Sequence, residues 1–340
     1  MARKRKATGK KEKSVVVVIG NFNGMSFSYK GKPILVRCIE GVRRINYGNY
    51  HIVISDLSSD GSAEYIRKHY PGIGIAKSSP ESFCAESNND AIKYSIREYD
   101  PDYIVRLDND ILITDREWLT KMVAAAESDP DIGLESCKLL YPDGKIQHAG
   151  IDLGLIPKTR GRGEPDSGQY DGVEEVGAVI GAMFFMRRSA VDRVGLIDEN
   201  LLGLEDVDYG YEMRKHGYKV VYNGAVSAIH LEGFTTANSG IKSRSDKRLY
   251  ARLEGYSYLS MKEYSLPMKI AAVPLWFLRG TLTIKQKDRK RSIANMRIRG
   301  DIFERLALTC KAVSHAMKLY RLRNSGLPES RMRKLRRIGL

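Results

Sequence analysis

Two carboxylates end a short stretch of the chain that is otherwise apolar. Residues 103–111 read Tyr-Ile-Val-Arg-Leu-Asp-Asn-Asp-Ile, a composition typical of a buried strand, and the acidic members are Asp108 and Asp110. Side chains two apart on an extended chain point to the same face, about 6.7 Å apart. Carboxylate oxygens so placed suit Mg²⁺ or Mn²⁺, which commonly bridge to phosphates. The alternative is a solvated turn, because Asp-Asn-Asp is also ordinary loop sequence.

A second acidic pair, Glu205 and Asp206, opens a helix that is predicted to end at His216, before Gly217. The helix dipole stabilises carboxylates in a first turn, which is a purely structural role. The same dipole keeps one of them ionised and able to accept a proton. Further on, His230 ends an apolar run, where it is either a structural histidine or a third ligand for a cation held by carboxylates.

Alternating strands and helices are predicted to position these residues. The strands are residues 14–19, 51–56, 73–76, 103–111 and 219–222, with a further strand after the small-residue turn at 177–182. The helices are residues 33–42, 63–69, 88–98 and 118–123, the last after a capping box at 114–117, and a short one capped by Ser189 and ended by Gly195. Such alternation predicts an α/β fold with a mostly parallel sheet and ligands at the carboxyl ends of its strands.

Polar side chains stand at three of those predicted strand ends. Asn21 and Asn23 follow the first strand, Asp56 ends the second, and Asp108 and Asp110 end the strand described above. Carboxyl ends of parallel strands meet at one edge of a sheet. We therefore expect these side chains to form one binding site.

The composition is that of a soluble globular chain of 340 residues, with 42% hydrophobic and 29% charged residues. Four cysteines without paired spacing predict reduced thiols in a cytosolic setting. No apolar run of the signal-peptide type follows the basic residues 1–13.

The net charge of +15 is unevenly distributed and predicts three regions. Residues 1–13, a basic disordered tail, carry +6, and residues 241–340, a basic helical extension, carry +18, which leaves −9 for the globular domain at 14–240. Basic residues should line the working surface of a nucleic-acid enzyme, so we expect no nucleic-acid partner. An acidic body with basic ends instead suits electrostatic tethering to an anionic surface.

The basic extension contains two segments with apolar residues. Residues 266–280 are apolar but too short and interrupted to span a bilayer, whereas residues 302–320 read as a basic amphipathic helix. Together they predict peripheral attachment to the cytoplasmic face of an anionic membrane. The alternative is that these helices pack on the globular domain with a solvated basic face.

Over residues 14–235 the chain resembles family 2 glycosyltransferases of the GT-A fold, a Rossmann-like fold, and in particular the rhamnosyltransferase-like members. The resemblance is carried by motifs in the family's order: Asn-Phe-Asn-Gly at 21–24, Ser-Asp at 55–56, Ser-Ser-Asp-Gly-Ser at 58–62, Asn-Asn at 88–89, Leu-Asp-Asn-Asp at 107–110, Lys-Leu-Leu-Tyr-Pro-Asp-Gly at 138–144, Gly-Ala at 181–182, Glu-Asp-Val-Asp at 205–208 and His-Leu-Glu-Gly at 230–233. Each motif alone is weak, but together and in order they are specific.

The resemblance implies an inverting hexosyl- or deoxyhexosyltransferase of polysaccharide biosynthesis. The donor would be a nucleotide-diphosphate sugar of the UDP or dTDP type, and the acceptor a glycan or a lipid-linked hydroxyl. The base would be Asp206 or, failing that, Glu205, and the Mg²⁺ or Mn²⁺ ligands would be Asp108, Asp110 and His230. The implied residues for nucleotide-sugar binding are Asn21, Asn23, Asp56 (at the base), Asn89, Asp108 and Gly181.

Some positions depart from the family's pattern. Gly20-Asn21 stand where Pro-Thr or a similar pair is usual, Leu57 replaces a polar residue, and residues 82–87 replace a glycine-rich stretch. These departures leave the base and sugar preference open.

Two other classes of protein compete with this interpretation. A nucleotidyltransferase on a similar sheet would have a glycine-rich loop with a basic residue after the first strand, and residues 20–24 contain none. A non-enzymatic protein that binds nucleic acid through its basic ends would leave Asp108, Asp110, Asp206 and His230 without a role.

Overall fold

The computed structural model describes residues 12–78, 82, 84–201, 203–232, 245–281 and 302–323. Its strands are β1 (Val15–Asn21), β2 (Ser28–Tyr29), β3 (Lys32–Pro33), β4 (Tyr50–Asp56), β5 (Gly74–Lys77), β6 (Tyr103–Asp108), β7 (Ile111–Leu112), β8 (Ile132–Leu140), β9 (Ile146–His148), β10 (Ile151–Asp152), β11 (Lys158–Thr159), β12 (Val173–Glu175), β13 (Met183–Arg187) and β14 (Lys219–His230). Its helices are α1 (Ile34–Arg43), α2 (Ser62–His69), α3 (Cys84–Tyr99), α4 (Trp118–Ser128), α5 (Arg188–Val194), α6 (Glu205–Lys215), α7 (Ser245–Glu263), α8 (Leu266–Thr281) and α9 (Ile302–Arg323).

One large sheet organises the chain. Its strand order is β12-β14-β8-β13-β6-β1-β4-β5, with β7 paired to β14 and β9 paired to β8. Six of the eight strands on this path run in one direction, and only β13 and β12 oppose them. The prediction of an α/β fold with a mostly parallel sheet is therefore confirmed.

Two apolar layers cover the faces of this sheet. Because successive side chains of a strand point to opposite faces, Val15, Val17 and Ile19 pack with α1 and α4, whereas Val16 and Val18 pack with α3, α5 and α6. Burial on both faces explains why β1 reads as a continuous apolar run.

Several predicted elements differ in their details. The strand predicted over 103–111 ends at Asp108 and is followed by a turn, and the strand predicted over 219–222 continues to His230. Neither predicted cap forms: α4 lacks a side-chain cap, because Asp115 accepts from the Glu117 amide instead, and α5 begins at Arg188, before Ser189.

Strands β8 to β12 were not predicted. β8 is buried along most of its length although it contains Glu135, Ser136 and Lys138, which interrupt the apolar pattern. Glu135 accepts a hydrogen bond from Asn223 of β14, and Lys138 forms ion pairs with Asp166 and Asp171. These contacts pair the Lys138 charge, whereas Glu135 is hydrogen-bonded through one oxygen only, and burial raises its pKa to about 8.

The C-terminal helices pack on the rest of the domain, which was the alternative considered for them. Leu259 and Ala272 are buried in an apolar cluster with Val207 of α6, and Ala316 of α9 is buried beside Tyr258 of α7. Among the described residues, no helix combines the length and the apolar character needed to cross a membrane. The basic tail predicted over residues 1–13 lies almost entirely outside the described ranges. The predicted domain boundaries after residues 13 and 240 stay predictions.

A buried ion cluster joins α7 to α6. The Lys262 ammonium lies 2.6 Å from Asp208, 3.2 Å from Glu212 and 3.2 Å from Asp198, and the Lys262 side chain is 3% exposed. Burial raises the pKa of Asp208 to about 7, and the positive charge of Lys262 opposes that rise. The cluster therefore depends on its lysine.

Lys262→Met should lower the free energy of unfolding by roughly 3–5 kcal/mol, because the substitution leaves the buried Asp208 without its cation and leaves Asp198 and Glu212 with the longer contacts to Arg323. The measurement is chemical denaturation followed by circular dichroism. Lys145→Met is the matched control, since its ion pair with Asp143 is about half exposed, and it should change stability by no more than about 0.5 kcal/mol. Equal stability of both variants would show that the ion cluster does not hold α7.

Candidate active site

The predicted ligands lie at one edge of the sheet. Strands β1, β4, β6 and β14 run in the same direction, so Asn21, Asp56, Asp108 and His230 all stand at carboxyl ends on that edge. β7 pairs with the end of β14, and the Leu231 amide donates to the backbone carbonyl of residue 110 at 3.1 Å. This pairing brings the turn after β6 beside the histidine.

Asp108, Asp110 and His230 form a cluster whose ligand atoms all lie within 4.8 Å of one another. Nε2 of His230 is 3.2 Å from Oδ1 of Asp110. The expectation that an extended backbone aligns the two carboxylates was wrong. The strand ends at Asp108, and it is the turn and the pairing with β14 that bring Asp110 back.

The electrostatics of this cluster fit a divalent cation. Burial raises the pKa of Asp108, and the neighbouring Asp110 raises it further. Burial alone would lower the pKa of His230, but the hydrogen bond and negative charge of Asp110 raise it above its usual value. A cation in reach of these oxygen and nitrogen donors would offset the repulsion between Asp108 and Asp110 and would take the place of a proton on His230. The donor set suits Mg²⁺ or Mn²⁺.

A chain of hydrogen bonds behind His230 orients its ring. Nδ1 of His230 donates to Oε1 of Gln147 at 2.6 Å, because an amide oxygen can only accept. Nε2 of Gln147 donates to Glu232 at 3.2 Å, and Glu232 pairs with Arg162 at 2.6 Å. Nε2 of His230 is thereby left facing the carboxylates, as in metal sites whose histidines have such a partner. Gln147 is not among the residues predicted from the sequence, because it lies in a region without predicted elements.

A second hydrogen-bonded group connects the predicted nucleotide ligands. Nδ2 of Asn21 donates to Asp56 at 2.8 Å, and Nδ2 of Asn109 donates to Oδ1 of Asn21 at 2.6 Å. Asn23 has a φ of +52°, and its side-chain oxygen accepts from the Ser59 amide at 3.0 Å. Asn21, Asp56 and Asn109, at the ends of β1, β4 and β6, are therefore linked by hydrogen bonds, and their part in nucleotide binding stays a prediction.

Asn89 is separate from this group. Its side-chain amide donates to the Ile197 carbonyl at 2.8 Å and to Glu199 at 3.0 Å. Asn88 is the member of the pair that approaches β1, since a Cβ added at Gly20 would lie 2.9 Å from Oδ1 of Asn88. The role of Asn89 in donor binding stays a prediction that its contacts do not support.

The other acidic pair begins α6. Oδ1 of Asp206 accepts from the Val207 amide at 2.8 Å, and Oδ2 accepts from the Gly181 amide at 3.3 Å. Burial raises the pKa of Asp206 to about 6, with a further contribution from the negative charge of Glu205. Burial also raises the pKa of Glu205, whose Oε2 is buried and makes no hydrogen bond within the described part of the chain.

Arg106 lies between the two acidic clusters. Its Nη1 donates to the Gly181 carbonyl and its Nη2 lies 2.8 Å from Oδ1 of Asp108. A Cβ at Gly181 would lie 3.4 Å both from Nη1 of Arg106 and from Cβ of Asp206, so the passage between the clusters is narrow. Arg106 is not among the predicted site residues, although an arginine inside an apolar strand needs a partner when it is buried, which is a signal that the sequence does contain.

The sequence is similar to a known protein family and to two known proteins. The sequence model described as "Glycosyl transferase family 2" matches residues 17–195. "Uncharacterized protein y4gI" of Sinorhizobium fredii (strain NBRC 101917 / NGR234) is 28% identical over 233 residues, which are 62% of this chain and 24% of that protein. "O-antigen biosynthesis protein RfbC" of Myxococcus xanthus is 28% identical over 148 residues, 41% of this chain and 12% of that protein. The matches thus span a quarter or less of these relatives.

Among solved structures, "Mannosyltransferase PcManGT from Pyrobaculum calidifontis in complex with GDP-Man and Mn2+" is similar with a TM-score of 0.50 at 13% identity, over 96% of this chain and 86% of that one. At this identity the likeness concerns the fold alone. The family match covers more than half of the chain and includes the strands that carry Asn21, Asp56 and Asp108. The chain belongs to the family 2 glycosyltransferases and has their GT-A fold.

Proposed function

We propose that the protein is a metal-dependent, inverting glycosyltransferase. It transfers a hexosyl or deoxyhexosyl group from a nucleotide-diphosphate sugar of the UDP or dTDP type to a hydroxyl of a glycan or lipid-linked acceptor. The observation that carries the proposal is the pair of acidic clusters, Asp108–Asp110–His230 and Glu205–Asp206, on either side of Arg106 and Gly181. The first suits a cation with a diphosphate and the second suits a general base.

The first cluster is the proposed site for the donor. Asp56, held by Asn21, would accept hydrogen bonds from the nucleotide base at the end of β4. Asp108, Asp110 and His230 would hold Mg²⁺ or Mn²⁺, with His230 kept in orientation by Gln147. When bound, the cation would neutralise charge on the leaving diphosphate. Arg106 pairs with Asp108 at 2.8 Å and helps to hold its carboxylate in place.

The second cluster is the proposed acceptor side. An acceptor hydroxyl is a weak nucleophile, so a carboxylate must take its proton as it attacks the anomeric carbon. Asp206 has two backbone amide donors that fix its carboxylate, and its pKa of about 6 leaves it deprotonated yet basic near neutral pH. Attack on the side opposite the leaving group inverts the configuration of that carbon.

The acceptor class is proposed from the family and one relative. A relative named for O-antigen biosynthesis supports an acceptor on the route to a polysaccharide, although the match spans 12% of that protein. The exposed surface adds a second observation: Leu266 and Ile270, one turn apart on α8, are 69% and 68% exposed. With the surplus of basic residues in 241–340, this supports peripheral attachment to the cytoplasmic face of a membrane.

Metal dependence is tested with a panel of UDP-, dTDP- and GDP-sugars in the presence of Mn²⁺ or Mg²⁺, with release of the nucleoside diphosphate as the readout. EDTA should abolish release, and Asp110→Asn should lower turnover by about 10²-fold or more because it removes a charged ligand. Asp143→Asn, an exposed carboxylate on another loop, is the control and should keep full activity. Rates that are the same with and without EDTA would contradict the metal assignment.

Asp206→Asn should retain donor binding and lose about 10²-fold or more in turnover, because it keeps the shape but cannot accept a proton. In the unmodified protein, turnover should rise with pH through a midpoint near pH 6 and then level off, since only the deprotonated base is active. Isothermal titration calorimetry measures donor binding, and a pH–rate profile measures the pH dependence of turnover. An active Asp206→Asn beside an inactive Glu205→Gln would move the role to Glu205.

Membrane attachment predicts that the full chain co-sediments with anionic vesicles but not with neutral ones, and that high salt weakens binding. Leu266→Glu combined with Ile270→Glu should reduce binding, because it places charges on the apolar face of α8. Val173→Glu, at an exposed apolar position on β12, is the control. Trp276 and Phe277 have the amphipathic character that suits the headgroup level of a membrane, but their side chains lie outside the described set. Absence of binding at low salt would rule out this attachment.

A further inference from the structure

The turn that precedes the proposed base has an unusual backbone. Gly203 and Leu204 both have positive φ, at +109° and +67°, and α6 begins at the next residue. Leucine rarely adopts this conformation, so the surroundings must hold it there. The direction in which Glu205 and Asp206 leave the turn depends on it.

Helix α7 contacts this turn directly. A Cβ added at Gly255 would lie 2.7 Å from the Gly203 carbonyl oxygen and 3.8 Å from a methyl carbon of Leu204. Leu204 also packs in an apolar cluster with Leu259 and Tyr264. The C-terminal helices therefore contact both the backbone and the side chain of the turn, and the close approach requires glycine at 255.

A second contact fixes α7 further along α6. The Lys262 ammonium pairs with Asp208 at 2.6 Å and Glu212 at 3.2 Å, within the first and second turns of α6. Helix α6 is thus attached to α7 both at its N-terminus and along its side. Two separated attachments prevent it from tilting or sliding relative to α7.

We propose that α7 is a positioning element for catalysis, in which Gly255 sets the place of the Gly203–Leu204 turn and so aims the proposed base Asp206. The inference rests on the proposed function, because it concerns the base of that reaction. Helix α7 lies outside residues 17–195, the part of the chain that the family model matches, and the proposal assigns it an effect on catalysis. The donor groups Asp56 and Asp108 are on other elements, so α7 should affect turnover and leave donor affinity unchanged.

Gly255→Ala is the main test. Because alanine favours a helix more than glycine does, the substitution should not unfold α7. With the nucleotide sugar that the unmodified protein hydrolyses fastest and Mn²⁺, kcat should fall about 10- to 100-fold, as expected for a displaced catalytic group, while the donor KM stays within about twofold. Arg252→Ala, at an exposed position of the same helix, is the control and should change neither value.

Leu204→Gly provides a second variant that introduces no clash. Glycine accepts the positive φ of residue 204 without strain but loses the packing against the apolar cluster that contains Leu259, so the variant should fold and still lose kcat. Wild-type kcat in this variant would overturn the proposal. Loss of donor affinity in parallel with kcat would overturn it as well, because that pattern indicates general damage.

Hydrogen exchange of residues 203–210, measured on the full chain without substrate, separates this inference from the proposed function. Gly255→Ala and Leu204→Gly should speed exchange in this segment, and Arg252→Ala should not. If the unmodified protein hydrolyses no donor, the proposed function fails, and the exchange still decides whether α7 holds the turn. Unchanged exchange in both variants would overturn the inference.

Discussion

A buried guanidinium joins the acidic clusters of this glycosyltransferase. Asp108, Glu205 and Asp206 are acidic groups whose carboxyl pKa burial raises, and Arg106 lies between them with Nη2 2.8 Å from Asp108. Without that cation, the same edge of the sheet would collect negative charge that burial makes costly. Arg106 also fixes the Gly181 carbonyl, while the Gly181 amide donates to Asp206, so one side chain ties both clusters to the sheet.

Polar contacts behind the site give it its shape. The ring of His230 is oriented by Gln147, which in turn is held by Glu232, and the buried Glu135 of β8 is paired with Asn223 of β14. Side chains locked by such contacts keep a binding site preorganised. Polar pairs inside the sheet therefore help to align the strands whose ends carry the proposed metal-binding side chains.

Not all of the basic charge of the C-terminal region lies on the surface. Lys262 is buried among carboxylates of α6, and Arg323 lies within 3.8 Å of Asp198 and Glu212, so part of the surplus is neutralised inside the protein. Charge counted along the sequence therefore overstates what a membrane would meet. The basic charge that stays on the surface, together with the exposed apolar pair Leu266 and Ile270 on α8, is the basis of the proposed membrane attachment.

The sequence alone determined the parallel strands β1, β4, β5 and β6 and the polar ends of three of them, because apolar runs such as residues 15–19 record burial on both faces in a local pattern. It did not determine β8, since Glu135 interrupts the pattern and its partner Asn223 lies 88 residues away. Gln147 and His230, 83 residues apart, meet for the same reason only in the folded chain. Local periodicity carries no information on which distant polar groups pair, so the tertiary structure decided how the ligands, the base and the C-terminal helices come together.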